Sequence, residues 1–211
     1  MIGIIDYGMG NLGSVTNACR FLELPATILT SPQELDSCSA LILPGVGAFG
    51  DCLEHLRNHG WVHPVKDWIH QDRPFLGICL GLQALFEESE ESPGVPGLGV
   101  LQGTVRRFPN KARIKIPQIG WNRVHQARKE EPLYRDIPDD SFFYFVHSYY
   151  VDATDPDVIV GSTEHGLRYT SAVSRGNLMA VQFHPEKSQR FGLQMLRNFS
   201  ELVAKETVKA S

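Results

Sequence analysis

The sequence predicts an α/β fold of three layers, in which helices cover a mostly parallel central sheet that has an antiparallel extension. The amino-terminal half alternates short apolar runs with amphipathic segments. Those runs are apolar at successive positions, which is typical of strands buried on both faces of a parallel sheet. The second half consists of closely spaced strand-like segments, which indicates antiparallel pairing. In such a fold, ligands bind in a crevice at the carboxyl ends of the strands.

The first half has the order strand, helix, strand, helix. Ser31, Pro32 and Glu34 form a capping box with proline at the first helical position, so a short helix is predicted there. The predicted elements are a strand at 1–6, a helix at 11–22, a strand at 26–29, the short helix after Ser31, and strands at 40–43 and 75–78.

The second half begins after an acidic stretch, 87–99, whose glycines and prolines indicate a loop. Arg175-Gly176-Asn177 is typical of a hairpin turn. Ser188 is placed to cap a final amphipathic helix that runs to about residue 203, after which the polar tail is expected to fray. The predicted strands lie at 105–108, 118–124, 142–147, 158–161, 172–175 and 179–183.

The composition limits the classes of function that this chain is expected to have. The 211 residues are 42% hydrophobic and carry a formal net charge of -4, which gives no general attraction to nucleic acid or anionic lipid. The first residues lack the basic and long apolar regions of an export signal, so a cytoplasmic location is expected. Widely spaced cysteines without a C-x-x-C pair also favour a reducing compartment. They are Cys19, Cys38, Cys52 and Cys79.

Cys79 is the first candidate for chemistry, because it lies where an apolar strand meets a helical segment. The pattern Gly77-Ile78-Cys79-Leu80-Gly81 is G-x-C-x-G, the thiol form of a nucleophile elbow, whose glycines avoid steric collision. Free N–H groups and the helix dipole favour a thiolate, and the Leu80 N–H can face a developing oxyanion. A core cysteine beside packing glycines is the alternative interpretation.

A thiol nucleophile needs a base, and His184 is the best candidate, since it follows a strand and opens the segment 184–188 (HPEKS). Glu186, two residues further on, can orient the imidazole and stabilise its charged form. Taken alone, a histidine at a strand end is more often structural. Together with the elbow, it predicts a Cys-His-Glu triad.

A glycine-rich turn, 43–50 (LPGVGAFG), follows another buried strand. Its backbone amides can line an oxyanion pocket if its strand neighbours the elbow. A phosphate cradle and a purely structural turn are the alternatives. The missing Lys-Ser/Thr ending disfavours a P-loop, and the missing G-x-G-x-x-G disfavours dinucleotide binding.

Six segments carry a resemblance that runs nearly end to end: 6–12 (DYGMGNL), 44–50 (PGVGAFG), 77–83 (GICLGLQ), 117–122 (PQIGWN), 145–149 (FVHSY) and 183–188 (FHPEKS). The chain resembles the class I (triad) glutamine amidotransferases and, more narrowly, the glutaminase subunits of imidazole glycerol phosphate synthase. The elbow and triad are typical of the superfamily, whereas the opening segment, Gly-Trp-Asn and Lys187-Ser188 are typical of these subunits. The resemblance implies a single glutamine amidotransferase domain over residues 1–211.

The resemblance also implies an activity, the hydrolysis of L-glutamine to glutamate and ammonia, without cofactor or metal. Cys79 would attack the amide, His184 would move protons and Glu186 would hold the histidine. Further implied roles are the oxyanion hole, formed by Leu80 with Val46 or Gly47, and substrate contacts, formed by Gly45, Gln83, Ser148 and Tyr149.

The implied partner is a (β/α)8 cyclase, which would form a heterodimer with this chain and use the ammonia to make imidazole glycerol phosphate in histidine biosynthesis. In that family, the glycine-rich loop can rest with its amide turned away until the partner is occupied. We expect the Val46 N–H to be the gated donor, because glycines on both sides make a peptide flip sterically easy. The interface or gating candidates are Asn11, Trp121, Tyr144 and Lys187.

Other functions remain open from the sequence. They are a glutaminase subunit of anthranilate or aminodeoxychorismate synthase, a catalytically silent assembly subunit, and a cysteine peptidase or thioesterase on a similar elbow. Histidines at 55, 59 and 63 have the four-residue spacing of one helical face, yet Gly60 and Pro64 interrupt that helix and no Asp, Glu or Cys cluster accompanies it. A solvated helical face explains them better than a metal site.

Overall fold

The computed structural model describes residues 1–110 and 114–209, with backbone only for 204–209. One half of its sheet is parallel, and its strands are β1 (Ile2–Ile5), β2 (Ala26–Leu29), β3 (Ala40–Gly45), β4 (Phe75–Cys79) and β12 (Leu178–Val181). They lie in the order β2-β1-β3-β4-β12. Every residue of β1, β3, β4 and β12 is buried, as continuous apolar strands require.

Strands whose pairing is mostly antiparallel extend this sheet beyond β12. They are β5 (Glu88–Ser89), β6 (Gly103–Arg107), β7 (Gln118–Gln126), β8 (Ser141–His147), β9 (Tyr149–Ala153), β10 (Ile159–Glu164) and β11 (Arg168–Arg175). The short strand β5 pairs with β6 in parallel. The path continues β12-β11-β10-β7-β8, while β9 pairs with both β11 and β6. Arg175 pairs with Leu178, so Gly176 and Asn177 form the predicted hairpin turn.

Helices cover both faces of the sheet, and this confirms the predicted three layers. They are α1 (Leu12–Phe21), α2 (Phe49–Asn58), α3 (Val62–His70), α4 (Leu80–Gln83) and α5 (Gln189–Lys209). Helices α2 and α3 pack in one hydrophobic core with Ile5, whereas α1 and α5 pack in a second core with Ile4. Adjacent residues of β1 thus point to opposite layers. None of the described helices is long and apolar enough to span a bilayer.

Two predicted helices differ from the structure, one in its type and one in where it ends. The capping box at Ser31 is present, but Pro32–Ser37 is a 3₁₀ helix, as suits so short a segment. Helix α5 continues to Lys209, so the expected end near residue 203 is wrong.

Helix α3 and strand β9 are among the elements that had not been predicted. Helix α3 follows α2 after a break at Gly60, whose φ is +72°, and Pro64 lies in its first turn, where a missing N–H is tolerated. Strand β9 begins one residue after β8 ends, so only Ser148 separates two strands that pair with different neighbours. A corner that consists of one residue needs no run of turn-forming residues, so no sequence pattern indicates it.

Candidate active site

Cys79 lies at the turn between β4 and α4, where the sequence predicts the elbow. It is the last residue of β4 and precedes the first helical residue, with φ 56° and ψ -107°. A non-glycine residue adopts such a positive φ only where the surrounding structure imposes it. A Cβ added to Gly81 would lie 2.0 Å from the Leu43 carbonyl oxygen, so α4 packs directly on β3. Cβ of Gly77 would lie 2.8 Å from the Gly81 oxygen, so both predicted glycines are required.

His184 follows β12, the strand beside β4, and is held by Glu186. Its Nδ1 lies 2.8 Å from Oε1 of Glu186, and the two side chains are 2% and 0% exposed. Because the carboxylate only accepts, Nδ1 carries the proton of this hydrogen bond. Nε2 has no hydrogen-bond partner among the described residues. This nitrogen is therefore the one left to exchange a proton with a reacting group.

The charge state of His184 depends on its two anionic neighbours. Burial lowers the pKa of His184, but the Cys79 sulfur and the Glu186 carboxylate outweigh burial and raise the pKa to about 10. The charged imidazolium is therefore favoured beside the Cys79 sulfur and the Glu186 carboxyl group. This charge distribution is the one that an activated cysteine needs.

Cys79 and His184 line the same cavity, whose volume is about 340 Å³. The structure thus brings together the two side chains that are 105 positions apart in the sequence. Other lining residues come from the glycine-rich loop, α4, the acidic loop and the β8–β9 corner. They include Val46, Gly47, Leu80, Gln83, Glu91, Ser148 and Tyr149.

The glycine-rich turn extends from the strand next to the elbow. Gly45 pairs with Cys79 across β3 and β4, and it lies against Leu80 rather than in the cavity lining. Its contact with substrate stays a prediction. Val46 and Gly47 continue from the ladder into the cavity, with Gly47 at φ +101°. The Tyr7 hydroxyl donates to the Pro44 carbonyl at 3.0 Å and anchors the start of the turn.

Three residues of the site were missed by sequence reasoning. The buried Gln182 places its Nε2 3.6 Å from the Cys79 sulfur, and Glu91 lines the cavity while its carboxylate accepts the Phe49 N–H at 2.8 Å. The third residue, His147, also lines the cavity, and burial lowers its pKa to about 4. A polar residue inside the apolar run 178–183 was the available signal for Gln182. No comparable signal distinguished Glu91 within its acidic loop.

Three of the four predicted interface residues form one group. The Trp121 and Tyr144 rings pack edge to face with centroids 6.1 Å apart, and Nζ of Lys187 lies 6.0 Å from the centre of the Tyr144 ring. Asn11 caps α1, and α1 contacts the Pro185–Lys187 turn.

A possible cation site lies elsewhere. Among the described residues, donor atoms of His125, Asp139 and Asp140 lie within 4.8 Å of one another, and all three residues are exposed. Asp139 already accepts the backbone N–H of Gln126 at 2.7 Å and that of Asp140 at 2.9 Å. Exposed acidic groups of this kind are common without an ion, and this group does not line the cavity of Cys79.

Comparison with known families agrees with this geometry. Residues 3–202 match the family model described as Glutamine amidotransferase class-I. The chain therefore belongs to the class-I glutamine amidotransferase family.

Two relatives indicate a narrower group within this family. The chain is 48% identical over 213 residues to imidazole glycerol phosphate synthase subunit HisH of Desulfitobacterium hafniense (strain DSM 10664 / DCB-2), covering 100% of this chain and 99% of that protein. It is 49% identical over 202 residues to the HisH subunit of Moorella thermoacetica, covering 96% and 95%. Within its class, the chain thus groups with the HisH subunits.

Solved structures support the same fold at lower identity. A crystal structure of a glutamine amidotransferase matches with a TM-score of 0.74 at 20% identity, covering 96% of this chain and 98% of that chain. Another glutamine amidotransferase, from Thermotoga maritima, matches with a TM-score of 0.62 at 19% identity, covering 99% and 84%. At such identity the likeness concerns the fold alone.

Proposed function

We propose that this chain is the glutaminase subunit of imidazole glycerol phosphate synthase and hydrolyses L-glutamine with a triad of Cys79, His184 and Glu186. One observation carries the proposal. The imidazole is bonded to a buried carboxylate through Nδ1, its Nε2 has no hydrogen-bond partner among the described residues, and His184 lines the same cavity as Cys79. Family membership supplies the substrate class, since the HisH relatives carry the name of that synthase.

The first half of the reaction cleaves the amide. The Cys79 thiolate attacks the side-chain carbonyl carbon of glutamine and forms a tetrahedral intermediate with an anionic oxygen. His184 then protonates the leaving nitrogen, so ammonia departs and a glutamyl thioester remains. As the first helical residue, Leu80 has an N–H without an intrahelical acceptor, and this N–H is placed to stabilise the oxyanion.

The second half of the reaction restores the enzyme. The imidazole, now neutral, accepts a proton from water as that water attacks the thioester carbon. Collapse of the second tetrahedral intermediate releases glutamate and regenerates the thiolate beside the imidazolium. Glu186 holds the ring in one orientation through both halves, as in other nucleophile-base-orienter triads.

The cavity also offers groups for the amino-acid end of glutamine. The Glu91 carboxylate complements the α-ammonium group, and Ser148, at the β8–β9 corner, also lines the cavity. Gln83 lines the same space, but Nε2 already donates to the Tyr149 carbonyl at 3.1 Å and to Gln182 at 3.0 Å. Its contribution is therefore mainly to the shape of the wall.

An exposed apolar face next to the cavity suits the cyclase partner. Strands β7 and β8 pair Trp121 with Tyr144 and Ile119 with Val146, so these side chains share one face of the ribbon. Ile119 is 64% exposed and Trp121 46% exposed, whereas Val146 lines the cavity. A partner bound here would lie directly beside the site that releases ammonia.

The decisive experiment mixes the chain with the candidate cyclase and compares Cys79→Ala with wild type. Glutamine-dependent synthesis of imidazole glycerol phosphate should fall about 10³-fold or more, because the nucleophile is absent. Synthesis from added ammonium salt should continue at the wild-type rate. Cys19→Ala, a buried cysteine on α1, is the matched control and should retain both activities. Glutamine-dependent synthesis by Cys79→Ala would contradict the proposal.

A further inference from the structure

A buried side-chain amide touches the sulfur of Cys79. Gln182 is 0% exposed, and its Nε2 lies 3.6 Å from Sγ, a distance suited to an N–H donor on the larger sulfur atom. Its Oε1 accepts a hydrogen bond from Nε2 of Gln83 at 3.0 Å. Gln83 lies one helical turn after Cys79, so the two glutamines join α4 to the segment that leads from β12 to His184.

A backbone carbonyl fixes which end of the Gln182 amide faces the sulfur. The Tyr149 carbonyl can only accept, so the group of Gln83 that lies 3.1 Å from it must be the NH₂. The second hydrogen of that NH₂ points to Gln182, which must therefore present its oxygen there. The remaining end of Gln182, its own NH₂, is left for Cys79. Reversing either amide would place two acceptors or two donors against each other in a buried site.

His147 is hydrogen-bonded to the Tyr149 carbonyl, the group that fixes the orientation of both glutamine amides. Its Nδ1 lies 2.7 Å from the Tyr149 oxygen, and the Tyr169 hydroxyl lies 3.2 Å from its Nε2. Burial lowers the pKa of His147 to about 4, so the ring is neutral near pH 7 and carries its proton on Nδ1. The ring also packs against Phe108 and Phe145, which leaves it little freedom to turn.

We propose that Gln182 is a catalytic residue, whose N–H binds the Cys79 thiolate, and that Gln83 and His147 are positioning residues that aim it. The inference rests on the proposed function, because it concerns the same nucleophile. A hydrogen bond to the charged form of an acid favours that form, so this donor would favour the thiolate. Titratable neighbours that also act on the sulfur are His184, Tyr7, Cys52 and Tyr169.

The test measures the alkylation of Cys79 by iodoacetamide over a range of pH, with the modified peptide quantified by mass spectrometry. In Gln182→Met, the methionine fills similar space without a donor. The rate near neutral pH should fall about tenfold, and the midpoint of the pH–rate profile should rise by about one unit. Gln126→Met is the matched control, since it removes a buried amide bonded to the Ile137 carbonyl, outside the cavity, and should keep the wild-type profile.

A second pair of variants tests the positioning step even if Gln182→Met does not fold. His147→Leu removes the donor to Tyr149 and should slow alkylation several-fold, whereas His147→Asn retains an N–H near the Nδ1 position and should restore most of the rate. Equal profiles for wild type and Gln182→Met, or for the two His147 variants, would overturn the inference alone. The proposed function would instead fail if wild-type Cys79 reacted no faster than the buried Cys19, since iodoacetamide requires neither glutamine nor cyclase.

Discussion

The two nitrogens of His184 have different surroundings, and this difference sets the direction of proton movement. Nδ1 is bonded to a fully buried carboxylate, whereas Nε2 lacks a partner among the described residues. Removing the carboxylate therefore leaves the cavity lining in place but weakens the charged form of the ring. The effect should be visible in stability as well as in turnover.

Glu186→Gln should destabilise the protein in a pH-dependent manner. The folded-state pKa of His184 is raised to about 10, so its contribution is fully present below the unfolded value of about 6.5 and is lost as pH rises toward 10. Urea unfolding should show a loss of about 1 to 3 kcal/mol at pH 6, shrinking at pH 9.5. Glu131→Gln, which removes a buried carboxylate bonded to Ser174, should show no such trend over this range. A loss that grew with pH would contradict this assignment.

The sequence predicted Cys79, His184 and the orienting Glu186, but not Gln182, which contacts Cys79 from a distant position. Cys79 and His184 lie in short patterns whose spacing reflects a local requirement, a tight turn in one case and an adjacent carboxylate in the other. Gln182 meets Cys79 across 103 positions, through a contact that only the pairing of β12 with β4 creates. Long-range polar contacts of this kind produce no local spacing pattern in the sequence.

Among the secondary-structure elements, the β3–β4 pair determines how the site is built. The ladder ends with Gly45 opposite Cys79, and the residues beyond it, Val46 and Gly47, reach the cavity. The part of the chain proposed to bind the oxyanion is thus the first part free of ladder hydrogen bonds. A peptide there can rotate without disturbing the sheet.

Val46→Pro tests whether the Val46 N–H is the gated oxyanion donor. Proline lacks that N–H, so glutaminase turnover stimulated by the cyclase should fall about 10²- to 10³-fold. Val46→Ala keeps the N–H and is the matched control, with turnover near wild type. If Val46→Pro retained stimulated turnover, the donor would have to be another amide.

Gly81→Ala should prevent the elbow from forming. The new Cβ would lie 2.0 Å from the Leu43 carbonyl oxygen, and neither partner can move without separating α4 from β3. We expect a loss of about 3 kcal/mol or more, measured by urea unfolding. Gly13→Ala provides the comparison, because its Cβ meets nothing within 4 Å and should slightly stabilise α1. Similar stability of the two variants would contradict the close packing of α4.

Secondary-structure elements were predicted correctly where the hydrophobic pattern of the sequence is strong. They were missed or misplaced where they depend on tertiary structure. Buried parallel strands and the Gly176-Asn177 turn could be predicted from apolar runs and turn residues. Strand β9 could not, because its pairing with β6 and β11 is decided by distant segments. Gly60 and Pro64 were correctly seen as interruptions, but they mark the boundary between two helices rather than the end of one.

Considered as a whole, the molecule has an apolar ribbon face beside the cavity that Cys79 and His184 line. The exposed large side chains on β7 and β8 are Ile119, Trp121 and Phe142, at 64%, 46% and 47% exposure. Trp121 is braced by Tyr144, so it presents its surface with little conformational freedom to lose on binding.

Trp121→Ala should weaken the association with the cyclase by about 2 kcal/mol, roughly thirtyfold in Kd, as measured by titration calorimetry. Phe21→Ala removes a more exposed aromatic ring, 75% accessible at the carboxyl end of α1, and should leave the affinity unchanged. Equal losses in the two variants would show that general surface hydrophobicity, not this ribbon, drives assembly.

The unusual backbone angles of Cys79 have a further consequence for heat inactivation. They are imposed by strands on either side of β4 and by the helix that follows, so they can relax only if the centre of the sheet comes apart. Thermal loss of thiol reactivity should therefore coincide with the loss of far-ultraviolet circular dichroism, instead of preceding it as in enzymes whose nucleophile sits on a labile loop.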